Sequence, residues 1–289
     1  MKIINFGSLN IDHVYHVPHF VKPGETIAAK SYQKNPGGKG MNQSVALARA
    51  GATVYHAGKI GPDGVFLKEM LEAEGVDTTY LKVDETPTGH AMIQVDPTGQ
   101  NSIMIFGGAN AAISEEEMRQ VFSHFEAGTY LLLQNEIAGI AALITAASEA
   151  GLKIILNPSP INEELLAAPL ELVDYFILNE IEGKALTGKR SENSILDTLR
   201  ARYPHAEFVL TIGKDGALYD SKELRMYIPA QKVQAVDTTA AGDTFTGYFY
   251  ASYLSGMDSQ QAMELASKAA AITVSRNGAA GSIPKADEI

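Results

Sequence analysis

The sequence of 289 residues is acidic: 34 Asp and Glu side chains against 23 Lys and Arg leave a net charge of −11. Because such a field repels a phosphate backbone, we expect no nucleic-acid partner. The sequence contains no cysteine, which excludes disulfides, thiolate chemistry and cysteine-type zinc sites. The N-terminus is too polar for a signal peptide, and no apolar run approaches the roughly 18 residues of a membrane span, so we expect a cytoplasmic protein with no membrane partner.

Short apolar runs alternate with longer stretches of helical spacing along the chain. The strand candidates are, in chain order, 3–6, 53–58, 130–134, 152–157, 174–179 and 207–212. The helix candidates between them are 41–51, 63–75, 114–125 and 137–151. Ser114 and Glu117 predict a capping box at the start of the third helix. This alternation predicts a parallel sheet with helices on both faces, in which ligands bind beyond the carboxyl ends of the strands.

Two segments interrupt this rhythm. One is the stretch of about 14–36, and the other is a pair of apolar runs at 89–96 and 101–106. The turn that joins the pair, Pro97-Thr98-Gly99-Gln100, predicts a β-hairpin. We interpret both segments as strands added outside the main layer.

A run of small residues ends at an aspartate just before a helical pattern over 246–257. Small residues expose backbone N–H groups at a helix N-terminus, where the helix dipole adds partial positive charge and an anion can be held. The predicted anion hole consists of Ala240, Ala241 and Gly242. Asp243, beside it, is the candidate base that accepts the proton of an attacking hydroxyl. Taken alone, an aspartate here would more often only favour the helix start.

A second glycine-rich segment, 35–43, also leads into a helix. Its glycines allow a ligand to approach the backbone closely, and Lys39 and Asn42 offer hydrogen bonds there. A plain turn with a helix cap would explain the glycines equally well. The sequence contains neither a Walker A motif nor GxGxxG, so a nucleotide site must be built differently.

The segments GGKGMNQSVALARAG at 37–51 and DTTAAGDTFTG at 237–247 match both signatures of the ribokinase, or phosphofructokinase-B type, family of sugar kinases. The sequence resembles this family nearly end to end. Further similar segments, in the family's order, are 6–12, 23–26, 107–114, 157–160, 178–188, 211–216 and 276–284. The resemblance implies one three-layer α/β/α domain over 1–289, with a mostly parallel central sheet and a small β-sheet lid formed by about 14–36 and 88–106.

The resemblance also implies a reaction, the transfer of the ATP γ-phosphate to D-ribose to give D-ribose 5-phosphate. It assigns sugar binding to Asn10, Asp12, Gly38, Lys39, Asn42, Glu136 and Asp243. It assigns nucleotide binding to Asn179, Glu182, Thr211, Gly213, Gly216 and Gly242, with Mg²⁺ reached from Glu182 through water. Without the resemblance, Asp12 would be read as a turn residue and Glu136 as a strand-end acid.

Two further properties come from the resemblance alone. An activating K⁺ would lie beside the anion hole, held mostly by backbone carbonyls at Asp237, Thr239, Thr273, Arg276, Gly278 and Ser282. The lids of two subunits would pair, which implies a homodimer.

Alternatives remain open at this point. A kinase for another sugar or a nucleoside, such as deoxyribose, fructose or an adenosine-like compound, would share the catalytic residues, and the lid around His16, Tyr15 and His90 would decide among them. A catalytically silent sugar-binding protein on the same scaffold would lack the equivalent of Asp243 or of the Asn-x-x-Glu motif, and both are present. We discount a metal site at His13, His16 and His19, because this proline-containing segment is expected to be extended and exposed.

Overall fold

The computed structural model describes residues 2–289, which form thirteen strands and nine α-helices. The strands are β1 (Lys2–Phe6), β2 (Asn10–His16), β3 (Ser31–Gly37), β4 (Thr53–Ile60), β5 (Leu81–Val83), β6 (Gly89–Val95), β7 (Asn101–Phe106), β8 (Tyr130–Gln134), β9 (Lys153–Asn157), β10 (Tyr175–Asn179), β11 (Glu207–Thr211), β12 (Ala217–Asp220) and β13 (Arg225–Ile228). The helices are α1 (Lys39–Arg49), α2 (Val65–Ala73), α3 (Glu115–Phe122), α4 (Ile140–Glu149), α5 (Glu163–Leu166), α6 (Glu180–Thr187), α7 (Glu192–Arg202), α8 (Ala241–Tyr253) and α9 (Ser259–Val274).

The large sheet has nine strands in the order β13-β12-β11-β10-β9-β8-β1-β4-β5. Strands β11 to β5 in this order run parallel, whereas β12 pairs antiparallel with both β11 and β13. Apolar residues alternate between the two faces of each central strand, since neighbouring side chains point in opposite directions. Ile3 belongs to the apolar cluster that contains side chains of α1, α2, α8 and α9, and Ile4 belongs to the cluster on the other face, with side chains of α3, α4, α6 and α7. The predicted three-layer architecture with a mostly parallel sheet is confirmed.

All six predicted strands and all four predicted helices are present. The capping box at Ser114 is confirmed, but α3 ends at Phe122, so the prediction of helix to residue 125 was three residues too long. The sequence pattern did not single out β5, β12 or β13. These strands are only three or four residues long, too short for a distinctive periodic pattern, and β5 and β13 lie at the two edges of the sheet.

A second sheet of four strands has the order β3-β2-β6-β7. The predicted hairpin is confirmed, because β6 and β7 pair antiparallel with His90 opposite Phe106. Strand β2 begins at Asn10, four residues before the predicted segment, so Asn10 and Asp12 are part of this sheet. Within residues 2–289, every helix is too short or too polar to cross a lipid bilayer.

The packing of α1 against α8 positions the functional residues. A Cβ atom at Gly247 in α8 would collide with Ala46 in α1, so glycine allows the two helices to approach closely. Both helices begin at the same end of the sheet, and their first turns therefore face each other.

Candidate active site

The N-terminus of α8 presents backbone N–H groups to a cleft. Ala240 has φ of 60°, a left-handed conformation that costs a non-glycine residue roughly 1–2 kcal/mol. This turn aims the first amides of the helix outward. Among the described residues, 2–289, no acceptor binds the N–H groups of Gly242 and Asp243, whereas Ala241 N donates to Thr238 O over 3.3 Å. These free amides are suited to hold an anion.

The Asp243 carboxylate is buried beside these amides and accepts hydrogen bonds from two neighbouring side chains of α1. Asn42 Nδ2 donates to Asp243 Oδ2 at 2.9 Å, and Gln43 Nε2 donates to Oδ1 at 2.8 Å. Both oxygens are thus held by neutral donors, and each retains acceptor capacity for a hydroxyl. A carboxylate oriented in this way is suited to accept a proton.

The glycine-rich segment closes around the predicted sugar residues. A Cβ atom at Gly37 would overlap the Asp12 carboxylate, and one at Gly38, where φ is 96°, would press on the backbone of Ser8. Glu136 Oε2 accepts from Lys39 N at 2.8 Å and from Ser8 Oγ at 2.6 Å, so Glu136 caps the start of α1. The segment is therefore both a helix cap and a close backbone approach to the predicted sugar site.

Asn110, which the sequence analysis did not identify, orients Asn10. Its Nδ2 donates to Asn10 Oδ1 at 2.8 Å, and the backbone of Leu9 bonds to both ends of the Asn110 amide. The Asn10 amide is therefore turned so that its Nδ2 is free to donate. The segment GGANAAIS contains Asn110 and was recognised only as a point of resemblance.

Burial and neighbouring charges shift the pKa values of Asp12 and Lys39. Burial and the nearby Glu136 carboxylate raise the pKa of Asp12 to about 6. Burial opposes a charge on the Lys39 ammonium, but Asp243, Glu136 and Glu182 outweigh that effect and raise the pKa of Lys39 above its ordinary value. Lys39 is thus a cation between the predicted sugar and phosphate residues, where it can offset the charge of a transferred phosphate.

Two clefts meet at the start of α8. The larger, of about 490 Å³, is lined by Thr211, Gly213, Gly216 and Gly242, which are predicted nucleotide residues, and by an apolar wall from α9. The smaller, of about 230 Å³, is lined by Lys39, Asn179, Glu182, Ala240 and Asp243. Thr211, Thr238, Ala241 and Gly242 line both. The α9 wall was not predicted, since its Ala270, Ala271 and Val274 look like ordinary core residues in the sequence.

Asn179 and Glu182 form a second capping box, at the start of α6. Glu182 Oε1 accepts from Asn179 Nδ2 at 2.9 Å, and Oε2 accepts from Asn179 N at 2.8 Å. Across residues 2–289, no three or more His, Asp and Glu side chains are grouped in a way that could hold a metal ion. Glu182 is a carboxylate that lines the smaller cleft, and a single carboxylate fits a Mg²⁺ that is held mostly by phosphate oxygens and water, as is common for this ion.

The predicted K⁺ residues are only partly brought together. Asp237 Oδ1 accepts from Thr239 N and Oγ1, at 2.9 and 2.6 Å, and Oδ2 accepts from Gly278 N at 3.0 Å. The side chains of the other three residues bond elsewhere: Thr273 to Thr244, Arg276 to Glu288 and Ser282 to Ala279 O. Their backbone carbonyls remain candidate ligands, and the K⁺ site stays a prediction.

The histidine segment does not form a shared site. His13 bonds to the Tyr32 hydroxyl at 2.7 Å, and His19 bonds to Glu25 at 2.9 Å.

The aromatic side chains of α8 at Phe245, Tyr248 and Phe249 are buried in the core.

The raised pKa of Asp12 predicts a pH-dependent stability. Between its ordinary value of 3.8 and about 6, the folded protein binds the Asp12 proton more tightly than the unfolded chain, so ionisation of Asp12 opposes folding as the pH rises. Asp12→Asn should therefore raise the Tm at pH 7, and this gain should shrink towards zero at pH 4. Thermal unfolding between pH 4 and 8 measures it.

Asp96→Asn is the matched control for this prediction. The Thr98 hydroxyl and nearby backbone amides lower the pKa of Asp96 in the exposed turn, so this carboxylate stabilises the fold above its ordinary pKa. Its replacement should change the Tm in the opposite direction at pH 7. A Tm gain for Asp12→Asn that is constant from pH 4 to 8 would contradict the raised pKa of Asp12.

The chain matches a known protein family over nearly its whole length. Residues 1–286 match the family described as pfkB family carbohydrate kinase. A ribokinase of Haemophilus influenzae is 38% identical over 294 residues, which cover 98% of this chain and 95% of that protein.

Solved structures share the fold as well as the sequence. The ribokinase of Thermotoga maritima superposes with a TM-score of 0.88 and 36% identity, covering all of this chain and 97% of that one. Arabidopsis thaliana ribokinase, complexed with ribose and ATP, gives 0.84 and 31% over 98% of this chain and 96% of that one. Since the family match spans residues 1–286 and these relatives exceed 30% identity along nearly their full length, the chain belongs to the pfkB family of carbohydrate kinases.

Proposed function

We propose that this protein is an ATP-dependent sugar kinase that phosphorylates the primary hydroxyl of D-ribose to give D-ribose 5-phosphate. The observation that carries the proposal is the Asp243 carboxylate, held by two amides beside unpaired helix N–H groups where two clefts meet. The similarity to a ribokinase and to a ribokinase structure with ribose and ATP supports the choice of substrates.

The chemistry follows from this placement. Asp243 accepts the proton of the sugar hydroxyl while the hydroxyl oxygen forms a bond to the γ-phosphorus. The bond from that phosphorus to the bridging oxygen breaks, and ADP leaves with the bonding electron pair. The N–H groups of Gly242 and Asp243 and the Lys39 ammonium offset the charge on the transferred phosphoryl oxygens.

The larger cleft suits the nucleotide, the smaller one beside Asp243 suits the phosphate that is transferred, and the sugar site adjoins them. Asp12 accepts two sugar hydroxyls at once, and Asn10, Gly38, Lys39, Asn42 and Glu136 complete the sugar site. The larger cleft takes the nucleotide, with the base against the apolar wall of α9 and Thr211, Gly213 and Gly216 along its edge. Glu182 and Asn179 would hold Mg²⁺ through water, and the ion would supply charge neutralisation to the phosphates.

A substrate panel tests the proposal directly. Among ribose, deoxyribose, fructose and nucleosides, D-ribose should give the highest kcat/KM in an assay of ADP release. Asp243→Asn should reduce kcat by about 10²–10⁴-fold with a KM within about 3-fold, because it removes the base but keeps the shape. Asp197→Asn, at an exposed position on α7, is the control and should retain full activity.

The panel also decides the alternatives. A preference for another sugar or a nucleoside would place the specificity in the small sheet, where His90 packs against His13 and Phe106. No turnover with any acceptor, together with sugar binding, would instead indicate a catalytically silent binding protein. Near-normal turnover of Asp243→Asn would refute the role of the base.

An activating K⁺ is part of the proposal. The loop from Asp237 to Thr239 is tied to Gly278 and leads directly into the α8 N-terminus, so an ion held by its carbonyls would order the anion hole. At constant ionic strength, kcat should be several-fold higher in KCl than in NaCl, with little change in the KM for sugar. Asp237→Asn should reduce this difference, and equal rates in both salts would remove the ion from the proposal.

The small sheet is proposed as a lid that excludes water and pairs with the lid of a second subunit. Its edge strand β7 exposes Ile103, Met104, Ile105 and Phe106, each more than half accessible, and such an edge invites pairing. Light scattering after size exclusion should give a dimer. Ile105→Lys should give a monomer, whereas Leu166→Lys on exposed α5 should not, and a monomeric parent protein would refute the pairing.

A further inference from the structure

A chain of buried side-chain amides runs from Asp243 into the centre of the molecule. Gln43 on α1, Gln134 at the end of β8 and Asn5 on β1 are all inaccessible to solvent. Gln134 Nε2 donates to Gln43 Oε1 at 2.7 Å and to Asn5 Oδ1 at 2.9 Å. Gln43 Nε2 then donates to Asp243 Oδ1. One continuous set of hydrogen bonds thus links β1, β8 and α1 to the candidate base.

This chain permits only one orientation of the Gln43 amide. Gln43 Oε1 accepts from Gln134, so its Nε2 must face Asp243 Oδ1 and Asn157 Oδ1, at 2.8 and 3.2 Å. A flipped Gln43 amide would place its oxygen against Asp243 Oδ1 and Asn157 Oδ1, and its NH₂ group against the NH₂ group of Gln134. Gln134 therefore determines that Gln43 is a donor to the base.

The far end of the chain is anchored on α1 itself. Asn5 Nδ2 donates to Gly40 O at 2.7 Å and to Ser44 Oγ at 2.8 Å. Ser44 Oγ lies 2.8 Å from Nδ1 of His56, whose pKa is lowered to about 4 by burial, so this histidine is neutral near pH 7. The chain begins and ends on the helix whose first turn faces Asp243, and this fixes that turn relative to β1 and β8.

Burying this chain of side-chain amides costs free energy of folding. Gln134 Oε1 is buried and has no hydrogen-bond partner among residues 2–289, a loss of roughly 1–3 kcal/mol for such a group. Apolar side chains of similar size would fill the same space without this cost. The directed contact with Asp243 gives these amides a role that apolar side chains could not fill.

We propose that Gln43 is a positioning residue for the base, with its donor orientation imposed by Gln134. The proposal rests on the role of Asp243 in the proposed function. Gln43 is fully buried and does not reach the sugar; it acts by holding Asp243 Oδ1, while Asn42 holds Oδ2. One oxygen of Asp243 is then directed at the substrate hydroxyl and the carboxylate cannot rotate away.

Gln43→Glu and Gln43→Met test the proposal by different routes. In Gln43→Glu, two carboxylates face each other and share a proton, so the acid limb of the kcat profile should move up by about 1 pH unit or more. In Gln43→Met, the size is kept but the donor is lost; kcat should fall by about 10–100-fold with the KM for ribose within about 3-fold. Gln134→Met should lower kcat in the same way, because Gln43 is then free to flip.

Two controls separate positioning from general stability. Ser44→Ala breaks the same network on the side away from Asp243, where Asn5 Nδ2 still donates to Gly40 O; it should lower the Tm while kcat stays within about 3-fold of the parent protein and the acid limb does not move. Gln260→Glu, on the exposed face of α9, should leave rate and pH profile unchanged. An unmoved acid limb in Gln43→Glu, or a Gln43→Met defect matched by Ser44→Ala, would overturn the proposal.

A readout without turnover keeps this test separate from the proposed function. In ¹⁵N-labelled protein, the Gln43 side-chain amide signals are assigned by their loss in Gln43→Met. They should shift in Asp243→Asn, because the charged acceptor of the Gln43 Nε2–H group is lost, and should stay in place in Gln260→Glu. If no acceptor is phosphorylated, the proposed function fails while these signals still report the contact; signals that Asp243→Asn leaves in place would refute the contact itself.

Discussion

The contact between the first turns of α1 and α8 is the constraint on which the site depends. Two neighbouring amides of α1 hold both oxygens of one aspartate on α8, across about 200 positions of sequence. Because Gly247 lets these helices touch, the glycine-rich loop before α1 and the small residues before α8 face each other. Lys39, Asp243 and the free amide of Gly242 therefore border one cleft.

The same region carries most of the local cost of the fold. Ala240 has a left-handed backbone, Asp12 ionises against burial and the charge of Glu136, and Gln134 keeps an unsatisfied buried oxygen. The two apolar layers around the central sheet offset these costs. Strain concentrated in one place is what a site prepared for a charged transition state requires, since donors and acceptors are oriented before the substrate arrives.

The outer strands of the two sheets contribute to the site in other ways. Strands β12 and β13 extend the large sheet through antiparallel pairing, and the turn before β12 supplies Gly213 and Gly216 to the larger cleft. The small sheet stands apart and exposes apolar side chains at β7. Its base is tied to the site by Asn110 and Asn10, so a movement of the sheet would be felt at the predicted sugar residues.

The sequence alone determined the order of strands and helices, because buried parallel strands need continuous apolar runs and amphipathic helices need their own spacing. It also determined the family and the candidate base, since both motifs are local. The tertiary structure decided what depends on distant residues meeting: the amide chain behind Asp243, the clamp of Asn110 on Asn10, and the apolar wall of α9. Glutamine, asparagine and alanine carry no distinctive sequence signal, and their roles arise only from the partners that the fold brings to them.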